Sequence, residues 1–251
     1  MKIPYLNNNI RALQFFQLFR FAILFAIGIA FAQAGLSTEK IGIYEKFIFL
    51  AGAISFFWVN GLTQSMLSLS GKYIRNDGKK NPLFFHVFFI ALIFSVFTLG
   101  LLFLFEKPSA TFFLSDSSIP YALPFFIYFL FSTPAFVVEF FYLLQKRPGQ
   151  IVIYGLITFS AQFFLLFIPV LFSFDLSYSL WGLAAISAVR FFWAIAIIAK
   201  TSEFRFSKDF ARELLKHSRP LIAMALISGS LPYIDGIIVA NYFDDSTFAV
   251  Y

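Results

Sequence analysis

The sequence predicts an all-α polytopic membrane protein. Hydrophobic residues make up 60% of the 251 residues and charged residues only 13%, and the mean hydropathy is +0.82. One water-soluble core of this size could not bury so much apolar surface. The apolar residues also fall in runs of roughly 20, the length of α-helix that crosses the ~30 Å hydrocarbon core of a bilayer.

Composition excludes several classes of site. The chain contains no cysteine, which rules out disulfides, thiolate metal sites and thiol chemistry. Its two histidines, His86 and His217, lie far apart beside charged loops, and we predict no metal centre and no cofactor. The net charge of +6 comes from basic residues in short segments between apolar runs. We therefore expect the anionic surface of a bilayer as their partner, and no nucleic acid.

The first predicted span covers residues 12–34. A helix from Phe21 to Ala34 would hold only fourteen residues, too few to cross, so the helix must begin near Ala12 and carry Arg20 into the membrane. The N-terminus lacks the small-residue cleavage site of a signal peptide, so this span is expected to remain as a helix. Six further apolar runs predict spans at 43–67, 83–105, 120–144, 150–173, 177–199 and 220–242.

The loops between the spans alternate in charge. The basic residues of every second loop are Lys2, Arg11, Lys72, Arg75, Lys79, Lys80, Lys146, Arg147, Lys200, Arg205, Lys208, Arg212, Lys216 and Arg219. The other loops carry Glu39, Glu106, Asp116, Asp175, Asp244 and Asp245, with Lys40, Lys46 and Lys107 as basic exceptions. The positive-inside rule then predicts a cytoplasmic N-terminus, and seven spans place Tyr251 outside.

Residues 200–219 are too polar to cross a membrane. Phe206, Phe210 and Leu214 recur at intervals of four, which suits an amphipathic helix lying in the cytoplasmic interface, although a solvated linker would have the same polarity. This segment separates a predicted half of six spans, residues 1–199, from a seventh span within residues 220–251.

Two short stretches resemble one another. LSTEKIGIY, residues 36–44, aligns with FDDSTFAVY, residues 243–251, and a period of 207 places the first span on the seventh. Six spans in each period return the chain to the same side, so the two copies would be parallel repeats. On this interpretation the chain holds one six-helix half and the first helix of a second half, and five further helices are expected in an intact protein.

The stretches GLSTEKIGIY and SRPLIAMALISGSLPYIDGIIVANYFDDSTFAVY resemble the first and seventh helices of Wzx-type polysaccharide and oligosaccharide flippases. These belong to the multidrug/oligosaccharidyl-lipid/polysaccharide exporter superfamily. The resemblance lies in Asp235 after Tyr233 and Ile234, and in a later Gly-x-Tyr, where this chain has Ala249 in place of glycine before Tyr251. It implies a chain truncated after its seventh helix, which flips a polyprenyl-diphosphate-linked oligosaccharide from the cytoplasmic to the outer leaflet of a bacterial inner membrane.

Four charged residues fall within the predicted spans. A charge near the bilayer centre costs roughly 2.5 kcal/mol or more, so each is expected to face protein or water. Arg190 lies ten residues before Lys200, about 15 Å into the sixth span. We predict that Arg20, Arg190 and Asp235 bind substrate, unless Asp235 pairs structurally with Arg190. Asp235 and Glu139 are also candidates for ion coupling, although Glu139 would equally suit the cytoplasmic interface.

Amides and aromatic residues provide secondary candidates. Asn60 and Gln64 lie one turn apart in the second span, and Gln162 lies in the fifth. We expect them near a polar cavity, although such amides more often hold helices together. Tyr142, Tyr154 and Trp193 would suit stacking on sugar rings, although in a chain this rich in phenylalanine packing against lipid explains such residues better.

Two other function classes were weighed against the flippase. A membrane-embedded polysaccharide polymerase or ligase needs a large polar outer loop, and the longest one here, EKPSATFFLSDSSIP, is short and lacks a carboxylate pair for acid/base work. We therefore do not expect an enzyme. A cation-coupled drug or metabolite exporter of the same superfamily remains the alternative, with Asp235 and Glu139 as its ion sites.

Overall fold

The computed structural model describes residues 8–74 and 81–250. Within these residues all regular secondary structure is helical, and Asn81 and Ser202 form one isolated bridge between two loops. Five residues used in the sequence argument lie outside the described residues, namely Lys2, Arg75, Lys79, Lys80 and Tyr251.

The described residues form eleven helices. They are α1 (Asn9–Gln33), α2 (Thr38–Tyr73), α3 (Pro82–Leu104), α4 (Glu106–Leu114), α5 (Ala122–Ala135), α6 (Val137–Leu144), α7 (Pro148–Leu171), α8 (Leu176–Thr201), α9 (Lys208–Gly229), α10 (Leu231–Tyr242) and α11 (Asp245–Phe248). Six helices are long and apolar enough to cross a membrane when α5 and α6 count as one. A seventh span results if α9 and α10, which are bent by 50°, are taken together. The prediction of an all-α polytopic membrane protein is therefore confirmed.

The two ends of the helix bundle differ in charge. At one end Lys72 pairs with Glu213, and at the other Lys40 pairs with Asp175. We call the first the basic end, because it also holds Lys146, Arg147 and Lys200. We call the second the acidic end, because it also holds Glu39, Asp116 and Asp245. The alternation of charge along the sequence thus becomes a separation of charge between the two ends of the fold.

Helix α2 is longer than the apolar run that predicted it. The run covers 43–67, whereas the helix covers Thr38–Tyr73. Ser37 caps its first turn by accepting a hydrogen bond from the Lys40 backbone N–H, and the carboxylate of Glu39 suits the positive end of the helix dipole. Polar residues at both ends therefore extend the helix beyond the hydrophobic length.

The boundary between the polar segment 200–219 and the seventh span does not coincide with a helix end. Ser207 caps α9 by accepting a hydrogen bond from the Phe210 N–H, and the helix then runs past Pro220 without a break. The break comes at Ser230, where α10 begins. Pro232 lies in the first turn of α10, where its missing N–H leaves no hydrogen bond unmade. Helix α9 thus contains both the amphipathic part of the polar segment and the first half of the predicted seventh span.

Helices α2 and α9 pack closely along their lengths. Gly61 permits this approach, since a Cβ at this position would lie 2.8 Å from the Ile222 Cα. The contact joins the first six spans to the segment that follows them. Gly61 is therefore required for packing, whereas Gly28 on α1 has open space around it.

These two glycines give a matched test of the α2–α9 contact. Alanine normally stabilises a helix over glycine by about 1 kcal/mol. Gly28→Ala is expected to preserve or raise the thermal unfolding midpoint in detergent. Gly61→Ala is expected to lower the stability by about 1–3 kcal/mol relative to Gly28→Ala, because the added methyl group meets the α9 backbone. Equal midpoints for the two variants would contradict the observed packing.

The orientation in the membrane can be tested with reporter fusions. A reporter active only in the cytoplasm is expected to be active after Gly149 and Phe210, which follow or lie within basic segments. The same reporter is expected to be inactive after Ser117 and Ser177, at the acidic end. An inverted signal at any of the four sites would contradict the predicted orientation.

Candidate functional site

A cavity of ≈ 620 Å³ lies in the middle of the bundle. Its wall is formed by α1, α2, α5, α6, α7, α8 and α10. The polar and aromatic polar residues in this wall are Gln17, Arg20, Ser55, Asn60, Thr63, Tyr128, Ser132, Thr133, Glu139, Tyr154, Arg190 and Tyr233. A polar space of this kind inside an apolar bundle is where charged groups avoid lipid.

Arg190 projects from α8 into the cavity wall. Its Nη2 donates a hydrogen bond to the Gln162 Oε1 over 3.2 Å, and its guanidinium carbon lies 4.6 Å from the centre of the Phe159 ring. Its Nε has no hydrogen-bond partner in the part of the chain that the structure describes. The amide and the ring thus hold one side of the guanidinium, while donor capacity remains on the other.

Arg20 reaches the same cavity from α1. Its side chain is exposed in the wall, as the length of the first span predicts. The two guanidiniums are close enough to affect one another electrostatically, and Arg20 also lies within electrostatic range of Glu139. Among residues 8–74 and 81–250, neither arginine forms an ion pair with this carboxylate within 4.0 Å.

Glu139 lies in the cavity wall and not at the end of a helix bundle. The span formed by α5 and α6 is interrupted at Phe136, just after Pro134, and Glu139 falls in the first turn of α6. A carboxylate is favoured there by the helix dipole. The residue is only 9% exposed, and its Oε2 has no hydrogen-bond partner among the described residues. The interruption of the span therefore positions an unpaired carboxylate opposite two arginines.

The remaining candidates separate into two groups. Asn60 lines the cavity, and Gln162 joins it through the hydrogen bond to Arg190. Gln64 and Asp235 are exposed on the outer surface and do not line the cavity. Within the described residues, Asp235 forms no ion pair with Arg190, so the structural pairing considered from the sequence is not formed.

Several residues of the cavity wall were not singled out from the sequence. Tyr128 and Ser132 on α5 face the cavity together with Glu139, at spacings of four and seven residues. This helical periodicity was a usable signal that was missed. Tyr233 on α10 also lines the cavity, and its ring stacks on Phe56 at 4.4 Å between centroids.

The three aromatic residues considered for sugar stacking form one cluster. Tyr154 lines the cavity, and the Trp193 ring packs edge-on against it at 5.3 Å between centroids. The Trp193 Nε1 donates a hydrogen bond to the Tyr142 Oη over 3.1 Å. Tyr154 therefore faces the cavity, while Tyr142 and Trp193 line a separate groove together with Val189, Ala196, Ile197 and Lys200.

Comparison with known proteins adds no family to this description. No protein-family model matches the chain, and no curated protein or solved structure is significantly similar to it. Within the described residues, no group of three or more His, Asp or Glu side chains could hold a metal ion. The argument for function therefore depends on the cavity itself.

The hydrogen bond between Gln162 and Arg190 gives a testable consequence. Gln162→Leu removes the acceptor and leaves the partly buried Nη2 without this partner, which is expected to lower stability by about 1–3 kcal/mol. Gln64→Leu is the matched control, because its amide is exposed and makes no such contact; its effect is expected to stay within about 0.5 kcal/mol. Thermal unfolding in detergent measures both. A neutral Gln162→Leu would show that Arg190 is not anchored by this amide.

Proposed function

We propose that the protein is a membrane transporter that flips an anionic lipid-linked oligosaccharide from the cytoplasmic to the outer leaflet of a bacterial inner membrane. One observation carries the proposal. Arg20 and Arg190 come from different helices, share one intramembrane cavity, and face a single carboxylate with which neither forms an ion pair. This leaves the cavity with an excess of positive charge.

An anionic ligand offsets that excess. Two guanidiniums at membrane depth are unfavourable unless they are paired or hydrated, and a bound anion supplies the pairing. Phosphate oxygens match the planar fork of arginine in bidentate hydrogen bonds, which a lysine cannot reproduce. A diphosphate headgroup is therefore the part of the substrate that we assign to Arg20 and Arg190.

The size and lining of the cavity favour a headgroup and not a whole oligosaccharide. A volume of ≈ 620 Å³ lies within the range of small-molecule sites. It suits a diphosphate with its first sugar. Tyr128, Tyr154 and Tyr233 in the wall offer aromatic faces for a sugar ring and hydroxyl groups for its polar edges. The resemblance to flippases, together with these features, supports the lipid-linked class.

Transport by alternating access would need relative movement of two bodies around the cavity. The segment from α9 to α11 packs on α2, and α10 contributes Tyr233 to the cavity wall. If the segment from α9 to α11 rocks against the first six spans, the headgroup would be exposed first at the basic end and then at the acidic end.

A second candidate is a cation-coupled exporter of drugs or metabolites. The observation that favours it is the Glu139 carboxylate, which is buried in the cavity with an unpartnered Oε2. Such a group suits a proton or a small cation. Glu139→Gln distinguishes the two candidates. In a coupled exporter, transport would lose its dependence on the ion gradient. In a flippase, diphosphate binding would persist or strengthen, because the substitution removes a negative charge near the site.

Substitution of Arg190 tests the favoured function. In proteoliposomes, Arg190→Ala is expected to reduce flipping of a lipid-linked oligosaccharide and binding of polyprenyl diphosphate by about ten- to a hundredfold, the value of one charge-assisted hydrogen bond or bidentate pair. Arg190→Lys is expected to recover part of the activity, because the charge remains while the fork geometry is lost. Arg147→Ala is the control, since this arginine is exposed at the basic end, outside the cavity.

Folded protein must be measured in the same samples. If Arg190 only stabilises the bundle, Arg190→Ala should lower the unfolding temperature first, and activity should follow the amount of folded protein. Normal abundance with normal flipping and binding would refute the assignment of the cavity to a diphosphate headgroup.

A further inference from the structure

Lys46 on α2 is a buried lysine at the acidic end. Its side chain is only 4% exposed, and its Nζ donates a hydrogen bond to the Leu114 carbonyl oxygen over 3.0 Å. The Nζ also lies 2.6 Å from the Asp245 Oδ1 and 3.6 Å from the Asp116 Oδ2. One ammonium group thus joins α2 to the end of α4, to the loop after α4, and to α11.

The backbone of α2 is shaped for the same contact. Gly42 lies one turn before Lys46, and a Cβ at Gly42 would overlap the backbone carbonyl of Asp245. One turn further back, the Thr38 Oγ1 donates a hydrogen bond to the Ser246 Oγ over 3.4 Å. Thr38, Gly42 and Lys46 are spaced four residues apart and therefore form one stripe along α2 that faces α11.

This stripe lies between the cavity and the acidic end. Ile48 and Phe49, which line the cavity, follow Lys46 within one helical turn. Phe49 also packs edge-on against Phe248 of α11, at 5.5 Å between ring centroids. Helix α11 thus packs on α2 next to the part of the cavity wall that is nearest the acidic end.

We propose that the stripe Thr38–Gly42–Lys46 and helix α11 form a latch that closes the cavity at the acidic end and opens when α11 moves away. Its role in export rests on the proposed function, but its opening and closing are properties of the fold. The arrangement of acceptors around Lys46 makes opening feasible. When Asp245 leaves, the Leu114 carbonyl and Asp116 remain with the ammonium group, so its charge is not left without partners.

A second ion pair at the same end provides a control. The Lys40 Nζ lies 3.1 Å from the Asp175 Oδ1, and the side chains are 42% and 48% exposed. The backbone N–H of Ser177 and the Lys40 ammonium hold the pKa of Asp175 below its usual value, so this carboxylate is ionised at neutral pH. This pair joins α2 to the start of α8 and does not involve α11. Its loss should leave the latch closed.

The absence of cysteine from the sequence allows a direct test. Ser132→Cys places one reporter thiol in the cavity wall. A membrane-impermeant maleimide is then added to vesicles on the side of the acidic end. Lys46→Met is expected to raise the labelling rate about ten- to a hundredfold, since one charge-assisted contact no longer holds the latch closed. Lys40→Met is expected to change the rate by no more than about twofold.

A disulfide provides the complementary measurement. The 3.4 Å between Thr38 Oγ1 and Ser246 Oγ indicates that cysteines at these positions can be joined across the latch. In the Ser132→Cys, Lys46→Met background, oxidised Thr38→Cys/Ser246→Cys is expected to return the labelling rate to that of the parent. Reduction is expected to restore fast labelling at position 132, which is followed by mass spectrometry of the peptide that contains it because the reduced pair also reacts with maleimide. The same pair in the Ser132→Cys background that keeps Lys46 does not depend on how Lys46→Met folds: oxidation is expected to slow labelling at position 132, and reduction is expected to reverse this.

The outcomes separate the latch from the proposed function, because no substrate is present in either measurement. Labelling of folded Lys46→Met at the parent rate would overturn the latch, as would equal labelling of the oxidised and reduced cysteine pair. Asp116 and Asp245 are 38% and 26% exposed and can be hydrated when Lys46 is removed, so the variant is expected to fold. A failure to flip lipid-linked oligosaccharide would refute the proposed function and leave these results unchanged.

Discussion

The cost of charge at membrane depth is the constraint on which the arrangement of this bundle depends. Arg20, Arg190 and Glu139 lie within apolar helices, where contact with lipid costs roughly 2.5 kcal/mol or more for each charged group. The three helices that carry these residues must therefore direct their charged sides towards the interior of the bundle. The space between them becomes a polar cavity. The amides and hydroxyls of the wall then supply hydrogen bonds that lipid cannot.

Because an α-helix rises by 1.5 Å per residue, counting from the end of a span predicts how far along the helix a charged residue lies. Counting along the first span predicted that Arg20 lies within the membrane, and it lines the cavity. Which side of a helix a residue faces is a different quantity, since it depends on neighbouring helices. The sequence left Glu139 open between ion coupling and the cytoplasmic interface, and the structure places it in the cavity wall. Asp235 was expected near substrate, but it is exposed on α10 and does not line the cavity.

Helix ends were predicted less well than helix existence, and for a physical reason. Hydropathy marks where a segment can contact lipid, whereas capping and backbone hydrogen bonding decide where a helix begins and ends. Ser207 starts a helix within a polar segment, and Phe136 and Ser230 interrupt spans that hydropathy shows as continuous. The interruption at Phe136 determines the position of Glu139. Hydropathy does not indicate this interruption, so it could not predict that Glu139 lies in the cavity wall.

Helix α2 connects the cavity to both ends of the bundle. It lines the cavity along its middle, packs on α9 through Gly61, and is tied to the segment from α9 to α11 by one ion pair at each end. The two pairs differ in exposure. Lys72 and Glu213 are 62% and 33% exposed, and Glu213 also accepts a hydrogen bond from the Tyr73 Oη over 2.6 Å, whereas Lys46 is 4% exposed and lies among three acceptors.

This difference in exposure determines what each end of the bundle loses when the segment from α9 to α11 moves relative to α2. Rocking of the segment from α9 to α11 about Gly61 would lengthen the contacts at one end and preserve those at the other. At the basic end, Lys72 is already exposed and can be hydrated when it leaves Glu213, whereas at the acidic end the buried Lys46 loses Asp245 as a partner. In the proposed latch, the acidic end is closed when no ligand is bound. A ligand that opens that end must bind the open state more tightly than the closed one, by at least the free energy of the contacts of α11 with α2, including the Lys46–Asp245 ion pair.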